Sequence, residues 1–433
     1  MVSPWGDLAP KRRRFGPVGR SVVTLGRRRG TYTYLFARGA FCQGATAPND
    51  SGFMTAPYRC WAEVDLDALR SNLAWLRHRV GPHTRILTVV KADAYGHGLK
   101  QIAALLMQSG TDIFGVANLA EARNVRLVGR GWPILMLGAC LPEDVSLVVC
   151  DGIMPTLSSL EEARSFSKEA QRQNKTVEVH LKVDTGMGRL GVCPEGAANL
   201  ARAIVRLPGL RLAGLMTHFS AVEDDVAFTR QQEKKFAEVI KAIEALGIVV
   251  PYIHACNSGG VLFEPKALYN LVRPGLLVYG IIPPGKRKPS AMLARHLKPA
   301  LQWKSRVTLV KEVPAGTPLS YGHTCYTRRR TRLAIVGCGY GDGYMRSGSQ
   351  RASVLIGGQL CPVLGRVTMD QTLVDVTALP HAKVGDEVVL LGRQGRREIT
   401  AAQLAEWFGT IPWEVLTNIS YRVPRVYRGG QAS

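Results

Sequence analysis

The sequence predicts an α/β protein: a (β/α)8 barrel followed by a mostly β C-terminal domain. Three observations predict it. Eight short apolar or β-branched runs recur between Ile86 and Arg273, most of them separated by segments with apolar positions three and four apart. That alternation stops near Leu297. Beyond it, apolar runs follow one another closely, with turn residues and no long helices between them.

The eight barrel strands are predicted over Ile86–Val90, Ile113–Ala117, Ile134–Leu137, Met154–Leu157, Val177–Val183, Leu212–Thr217, Tyr252–Ala255 and Leu271–Arg273. Amphipathic helices are predicted over Leu66–Arg79, Leu99–Gln108, Leu160–Gln173 and Thr229–Leu246. In the second domain, strands are predicted over Leu301–Lys311, Thr331–Val336, Ser353–Ile356, Gln359–Leu364, Thr372–Val376 and Glu387–Leu391. Gly357-Gly358 and Val384-Gly385-Asp386 supply turns. One helix, Ala401–Phe408, has Thr400 as its N-cap. The expected domains are residues 59–297 for the barrel and 298–433 for the β domain. The first strand, Cys60–Asp65, is a candidate member of either.

The chain has 433 residues, room for two or three domains. No run of about 18 apolar residues occurs, which excludes a membrane-spanning helix. Nine cysteines are scattered, an odd number with no C-x-x-C pair. That argues against a zinc site and a disulfide framework and favours a reducing, cytoplasmic setting. The net charge of +23 invites a nucleic-acid reading. Nine basic residues against two acids precede Tyr58, leaving roughly +16 for the rest. Those charges are dispersed and lack an aromatic–basic repeat, so a solvated surface is the better reading.

Residues 1–58 are rich in Gly, Arg, Ser and Thr and show no periodicity. Three readings compete. One is a disordered arm. One is an export signal around Arg12-Arg13-Arg14-Phe15, against which Arg20 and Arg27 to Arg29 interrupt the apolar region that should follow. The third is untranslated sequence ahead of a start at Met54.

Function in such a barrel gathers at the carboxyl ends of the strands. Lys91 follows Val89-Val90 there. Burial lowers an amine's proton affinity and makes it a nucleophile or base; the competing reading is a lysine snorkelling past the rim. Tyr95, Gly96 and Gly98 suit a flexible loop closing over a ligand. At the fifth strand, Lys182 and Asp184 share a face and are a candidate pair, and Arg189 is a fixed cation in a glycine-rich loop. His218 ends the sixth strand, where a core histidine is the competing reading. His254, Asn257, Ser258, Gly259 and Gly260 end the seventh; backbone amides beside a serine hydroxyl can cradle a phosphate. Arg273-Pro274-Gly275 ends the eighth, the usual barrel phosphate location. Gly337-x-Gly339-x-Gly341-x-Gly343 lacks dinucleotide-fingerprint spacing and reads as a tight turn.

Val89-Val90-Lys91-Ala92-Asp93-Ala94-Tyr95-Gly96-His97-Gly98 resembles the pyridoxal-phosphate (PLP) attachment signature of alanine racemases. The likeness continues through Lys182–Gly191, Asn257-Ser258, Arg273–Gly280, Ser320-Tyr321-Gly322, Gly341–Tyr344, Gly365–Gln371 and Ser420–Arg425. It spans about Arg59 to Val426 and leaves out the tail.

The resemblance implies a PLP-dependent alanine racemase, cytoplasmic and homodimeric, supplying D-alanine for peptidoglycan. It implies Lys91 as the lysine holding PLP as a Schiff base and Tyr321 as the opposing base. Tyr95, Asn257, Ser258, Tyr421 and the backbone of Gly275 and Leu276 would surround the phosphate. Arg189 would face the phenolic oxygen and substrate, and Arg273 the pyridine nitrogen, with His218 and His254 behind it. Lys182 would be carbamylated. Tyr321, Met369 and Tyr340 would come from the partner subunit, the last two as substrate contacts. Many relatives carry Cys where this chain has Thr368, which bears on the preference for alanine over serine. The alternatives are a broader amino-acid racemase, a PLP decarboxylase, whose glycine-rich loop and cysteine motif are missing here, and a PLP-binding protein without the β domain.

Overall fold

The computed structural model describes residues 58–430. The readings of the basic tail lie outside the described residues. The chain opens with strand β1 (Cys60–Asp65), whose Asp65 side chain then caps the helix Leu66–Val80. Barrel strands follow: β2 (Arg85–Val89), β3 (Ile113–Val116), β4 (Ile134–Met136), β5 (Met154–Leu157), β6 (Val177–Lys182), β7 (Leu210–Met216), β8 (Tyr252–His254) and β9 (Leu271–Val272). All are parallel, in the order β8-β7-β6-β5-β4-β3-β2-β9. Between β8 and β9 the ladder is open. The gap is bridged just beyond the strand ends, where Arg273 N–H donates to Cys256 O at 2.9 Å.

Each predicted strand is present, because runs buried on both faces leave a nearly continuous apolar signature. The helices were less legible. Leu119–Val128, Val145–Cys150 and Pro194–Ile204 complete the ring beside those predicted. The helix expected from Thr229 begins at Val226, because the Asp225 side chain accepts from Phe228 N. Ser159 and Glu162 form a reciprocal capping box at the start of Leu160–Arg172. Among the described residues, no helix is long and apolar enough to cross a membrane.

The second domain carries β10 (Leu301–Val313), β11 (Pro318–Leu319), β12 (Cys325–Tyr326), β13 (Thr331–Val336), β14 (Ser353–Ile356), β15 (Gln359–Leu364), β16 (Thr372–Asp375), β17 (Glu387–Gln394), β18 (Arg397–Ile399) and β19 (Arg425–Arg428). Strand β1 belongs here, not to the barrel. It pairs antiparallel with β10 and parallel with β19. The β domain is therefore built from both ends of the described chain. Trp303, fully buried on β10, donates its indole N–H to Cys60 Sγ on β1 at 3.1 Å. Its ring and Phe408 flank Tyr344 edge-on, forming the aromatic centre of this domain. The helix Ala401–Phe408 has Thr400 as its cap, as predicted.

Candidate active site

A cavity of about 740 Å³ opens at the carboxyl ends of the barrel strands. Lys91, Tyr95, Lys182, Arg189, His218, Asn257, Ser258, Arg273, Gly275 and Leu276 all line it. The fold thus gathers ten of the predicted site residues from five strand ends.

Lys91 stands at the start of an unusual turn. Ala92, Asp93, Ala94 and Tyr95 all have φ near +52°, one turn of left-handed helix built without glycine. Such a conformation costs roughly 1–2 kcal/mol per residue. Surrounding groups hold it. Glu121 accepts from Ala92 N at 2.8 Å and Ala117 N at 2.7 Å. Asp93 accepts from Leu99 N at 2.7 Å. Gly96 and Gly98, expected as flexible hinges, are instead clamped. A Cβ on Gly96 would strike the Leu416 carbonyl, and one on Gly98 the Tyr427 hydroxyl. Arg425 Nε also donates to Gly96 O at 2.9 Å. The C-terminal segment fixes the lysine turn against the barrel.

The cavity is rich in cationic groups. Burial, then nearby Arg189, lower the proton affinity of Lys91, with Glu121 opposing. Lys182 is only 4 % exposed. Burial, Arg273 and Arg189 push its ammonium well below the usual range. The expected Lys182–Asp184 pair is absent among the described residues. Asp184 instead accepts from the N–H groups of Gly186, Met187 and Gly188, shaping the loop that carries Arg189. Three nearby amides outcompete the Lys182 ammonium for that carboxylate.

Arg273 is buried, and four contacts hold its two Nη atoms. Its Nη1 lies 2.7 Å from His254 Nδ1; its Nη2 donates to Thr217 O at 2.7 Å and Ala255 O at 2.9 Å and lies 3.3 Å from His218 Nδ1. His218 and His254 therefore both contact the guanidinium. A third histidine, His180, continues the chain 2.9 Å from His254 Nε2. Sequence reading passed over it because a strand histidine carries no motif of its own.

Ser258 Oγ accepts from Gly275 N at 3.0 Å. The N–H groups of Gly259 and Leu276 donate to no protein group among the described residues. A Cβ on Gly275 would sit 2.6 Å from the Tyr95 hydroxyl, so only glycine admits that phenol. Asn257 lines the cavity but its amide is committed. It accepts from Gly260 N at 3.0 Å and donates to Phe219 O at 3.1 Å, holding the Ser258 turn in place. Glu223, Ile411 and Trp413 also line the cavity and were not anticipated. Burial raises the proton affinity of Glu223.

Four predicted site residues lie elsewhere. Tyr321, Tyr340, Met369 and Tyr421 are 70 %, 42 %, 52 % and 96 % exposed, and none lines this cavity. Tyr421, expected beside the phosphate cradle, does not reach it within one subunit. Tyr321 follows Ser320, whose φ of +64° is strained and whose hydroxyl donates to Arg366 O at 2.6 Å. Thr368 closes the turn before Met369: its Oγ1 donates to Gln371 O at 2.8 Å and accepts from Gln371 N at 3.2 Å.

Two family models match the chain. "Alanine racemase, N-terminal domain" covers residues 64–283 and "Alanine racemase, C-terminal domain" residues 300–427. A Halothermothrix orenii alanine racemase is 42 % identical over 371 residues, 85 % of this chain and 96 % of that protein. One from Methylacidiphilum infernorum is 43 % identical over 370 residues, 86 % and 93 % respectively. The solved alanine racemase of D-cycloserine-producing Streptomyces lavendulae superposes with a TM-score of 0.81 at 35 % identity, covering 87 % of this chain and 98 % of that one. That of Clostridium difficile 630 gives 0.80 at 34 % identity, covering 86 % and 96 %.

Proposed function

The chain belongs to the alanine racemase family, and from that premise we propose that it interconverts L- and D-alanine with PLP, using Lys91 and Tyr321 as opposed bases. D-alanine so formed would supply peptidoglycan in the cytoplasm. Two subunits would share each site, one contributing the barrel cavity and the other Tyr321, Tyr340 and Met369.

The residues present fit the cofactor. Ser258 Oγ and the unpaired N–H groups of Gly259 and Leu276 form a donor-lined cradle suited to a phosphate, with the Tyr95 phenol packed over Gly275. Lys91, Lys182, Arg189 and Arg273 suit the charge of a phosphate and a carboxylate. Lys91 would be the covalent anchor. Tyr95, Ser258, Gly275 and Leu276 would hold the phosphate, joined by Tyr421 once the dimer or a side-chain rotation brings it in. Arg189 would meet the phenolic oxygen and the substrate carboxylate, and Arg273 the ring nitrogen. When bound, PLP supplies an electron sink that acidifies the substrate's α-hydrogen.

The protein's own part is positioning and proton transfer. Lys91 Nζ, with lowered proton affinity, can take or give a proton on one face. Tyr321 Oη would do so on the other. Arg273 can donate but cannot accept, because a guanidinium does not deprotonate. Where most cofactor-nitrogen partners are carboxylates, a donor-only partner would leave that nitrogen unprotonated and would favour clean return of the proton. Carbamylation of Lys182 would place an anion near Arg189 and Arg273: the neutral amine adds carbon dioxide and releases a proton.

The observation that carries this reading is the division of the bases. Lys91 lines the cavity, while Tyr321 is 70 % exposed on the other domain. Mixing two inactive variants, Lys91→Ala and Tyr321→Phe, tests it. Random exchange of subunits would give hybrids with one intact site and about a quarter of wild-type activity. No recovery, with exchange verified by mass, refutes the shared site.

A further inference from the structure

The run Gly337-x-Gly339-x-Gly341-x-Gly343 has no part in the cavity, yet side chains are excluded along it. A Cβ on Gly339 would strike the carbonyls of Thr368 and Met369, one on Gly341 the Arg422 guanidinium, and one on Gly343 the Asn418 carbonyl. Three loops meet here: residues 337–343, 368–371 and 418–422. Their backbones are bonded to one another. Tyr340 N donates to Thr368 O at 2.9 Å, Gly341 N to Met369 O at 2.8 Å, and Ser420 N to Asp342 O at 3.0 Å.

At their junction Asp342 is fully buried. Arg59 grips it through two bonds, Nη2 to Oδ1 at 2.7 Å and Nη1 to Oδ2 at 3.0 Å. The same Nη1 donates to Gly337 O at 2.5 Å and Asp370 O at 3.3 Å. From the third loop, Arg422 Nε lies 3.6 Å from Asp342, and its Nη2 donates to Asp370 at 2.5 Å. A fork gripping a desolvated carboxylate is both strong and geometrically exact in its demands. Each loop presents one exposed large apolar or aromatic side chain: Tyr340, Met369 and Tyr421.

We infer that Arg59, acting through Asp342, is a positioning residue for the racemase reaction: it sets the mutual placement of Tyr340, Met369 and Tyr421. This rests on the reading above, in which those side chains complete a site shared between subunits. It gives the glycine run its role, as the place where three loops must approach within backbone contact. It also gives Arg59, at the start of the described residues, a task in substrate binding.

The test uses the full-length, cofactor-loaded enzyme with Arg59→Ala and Arg59→Lys. Steady-state constants for L-alanine are measured per loaded site, with hydrogen exchange read at all three loops and dimerisation by sedimentation. Arg59→Ala should raise KM on the order of tenfold, with a smaller fall in kcat and an unchanged dimer. Exchange should quicken in all three loops together. Arg59→Lys should restore part of the loss, since an ammonium keeps the charge but not the fork. A KM within about twofold of wild type, or faster exchange in residues 337–343 alone, overturns the inference. If Arg59→Ala does not fold, Arg59→Lys decides: a raised KM at unchanged melting temperature supports the inference, and an unchanged KM overturns it. A wild-type protein that loads PLP but racemises no alanine overturns the functional reading instead, and in that case coupled exchange across the loops still reports on the Arg59 joint.

Discussion

Arg273 Nη1 lies 2.7 Å from His254 Nδ1, and because a guanidinium only donates, His254 must accept there. That fixes a chain of tautomers. His254 Nε2 then carries the hydrogen and gives it to His180 Nδ1, 2.9 Å away. His180 Nε2 is left holding a hydrogen with no partner, and it is one of the buried polar atoms without a bond. All three imidazoles behind Arg273 are neutral. Burial and then Arg273 depress His180 to about 3 and His218 and His254 well below the usual range.

This makes stability depend on pH in a defined window. The unfolded chain takes up protons near pH 6.5, whereas folded His180 does so only near 3. The unfolded state therefore binds more protons between those values, and stability falls as pH drops through them. Each such histidine contributes a slope of about 1.4 kcal/mol per pH unit. The lowered proton affinities of Lys91 and Lys182 make stability rise with pH above 7 as well, so the histidine signature is a clear decline in the urea midpoint from pH 6.5 to 5, before ordinary carboxylates titrate. His180→Phe should make the decline shallower. A midpoint unchanged between pH 7 and 5 would show that these histidines are not held neutral.

Lys182 gives a second prediction. It is 4 % exposed beside Arg189 and Arg273, and no carboxylate within the cavity bonds it. Removing a buried amine from such company should stabilise the fold. In carbon-dioxide-free buffer, Lys182→Met should raise unfolding free energy by about 1–2 kcal/mol. Added bicarbonate should stabilise the wild type, because carbamylation belongs to the folded state alone, and leave the variant unmoved. An equal response from both proteins, or none from the wild type, would exclude the carbamate.

The barrel strands were legible because parallel strands are buried on both faces, and each strand end announced its polar residue: Lys91, Arg189, His218, Ser258 and Arg273. What stayed hidden was the path of loops and the contacts between segments far apart in sequence. Asp184 and Lys182 share a strand face, but the amides that capture Asp184 come from a loop whose path no periodicity encodes. Strand β1 could not be placed because its partners, β10 and β19, lie more than 200 residues away. Gly96 and Gly98 looked like hinges; only the packing of Leu416 and Tyr427 shows them to be points of contact. Arg59 carried no signal at all, since its partner Asp342 sits inside a glycine run that matched no fingerprint.

The left-handed turn after Lys91 can be probed without touching the lysine. Ala92 is exposed, with φ +52°. In an ordinary helix, Gly for Ala costs about 0.5–1 kcal/mol. Here glycine also relieves roughly 1–2 kcal/mol of left-handed strain. Ala92→Gly should therefore leave stability unchanged or raise it, read as the urea midpoint. A loss as large as in a right-handed helix would mean the turn is not strained. If the strain serves to aim Lys91, the same variant should lower kcat while its stability holds.

Tyr321→Phe tests the second base under a constraint that chemistry imposes. L- and D-alanine have equal free energy, so kcat/KM must be equal in the two directions for every variant. The substitution should lower both together, by the 100- to 10,000-fold typical, in rough terms, of losing one general acid–base group. The asymmetry appears elsewhere. Lys91 remains able to remove and return a proton on its own face, so one enantiomer should still exchange its α-hydrogen with deuterated solvent. The other enantiomer presents its hydrogen to the missing hydroxyl and should exchange no faster than it racemises. Proton magnetic resonance of each enantiomer in deuterium oxide reads this directly. Equal exchange of both enantiomers in Tyr321→Phe would mean a single base serves both faces, and the two-base assignment would fall.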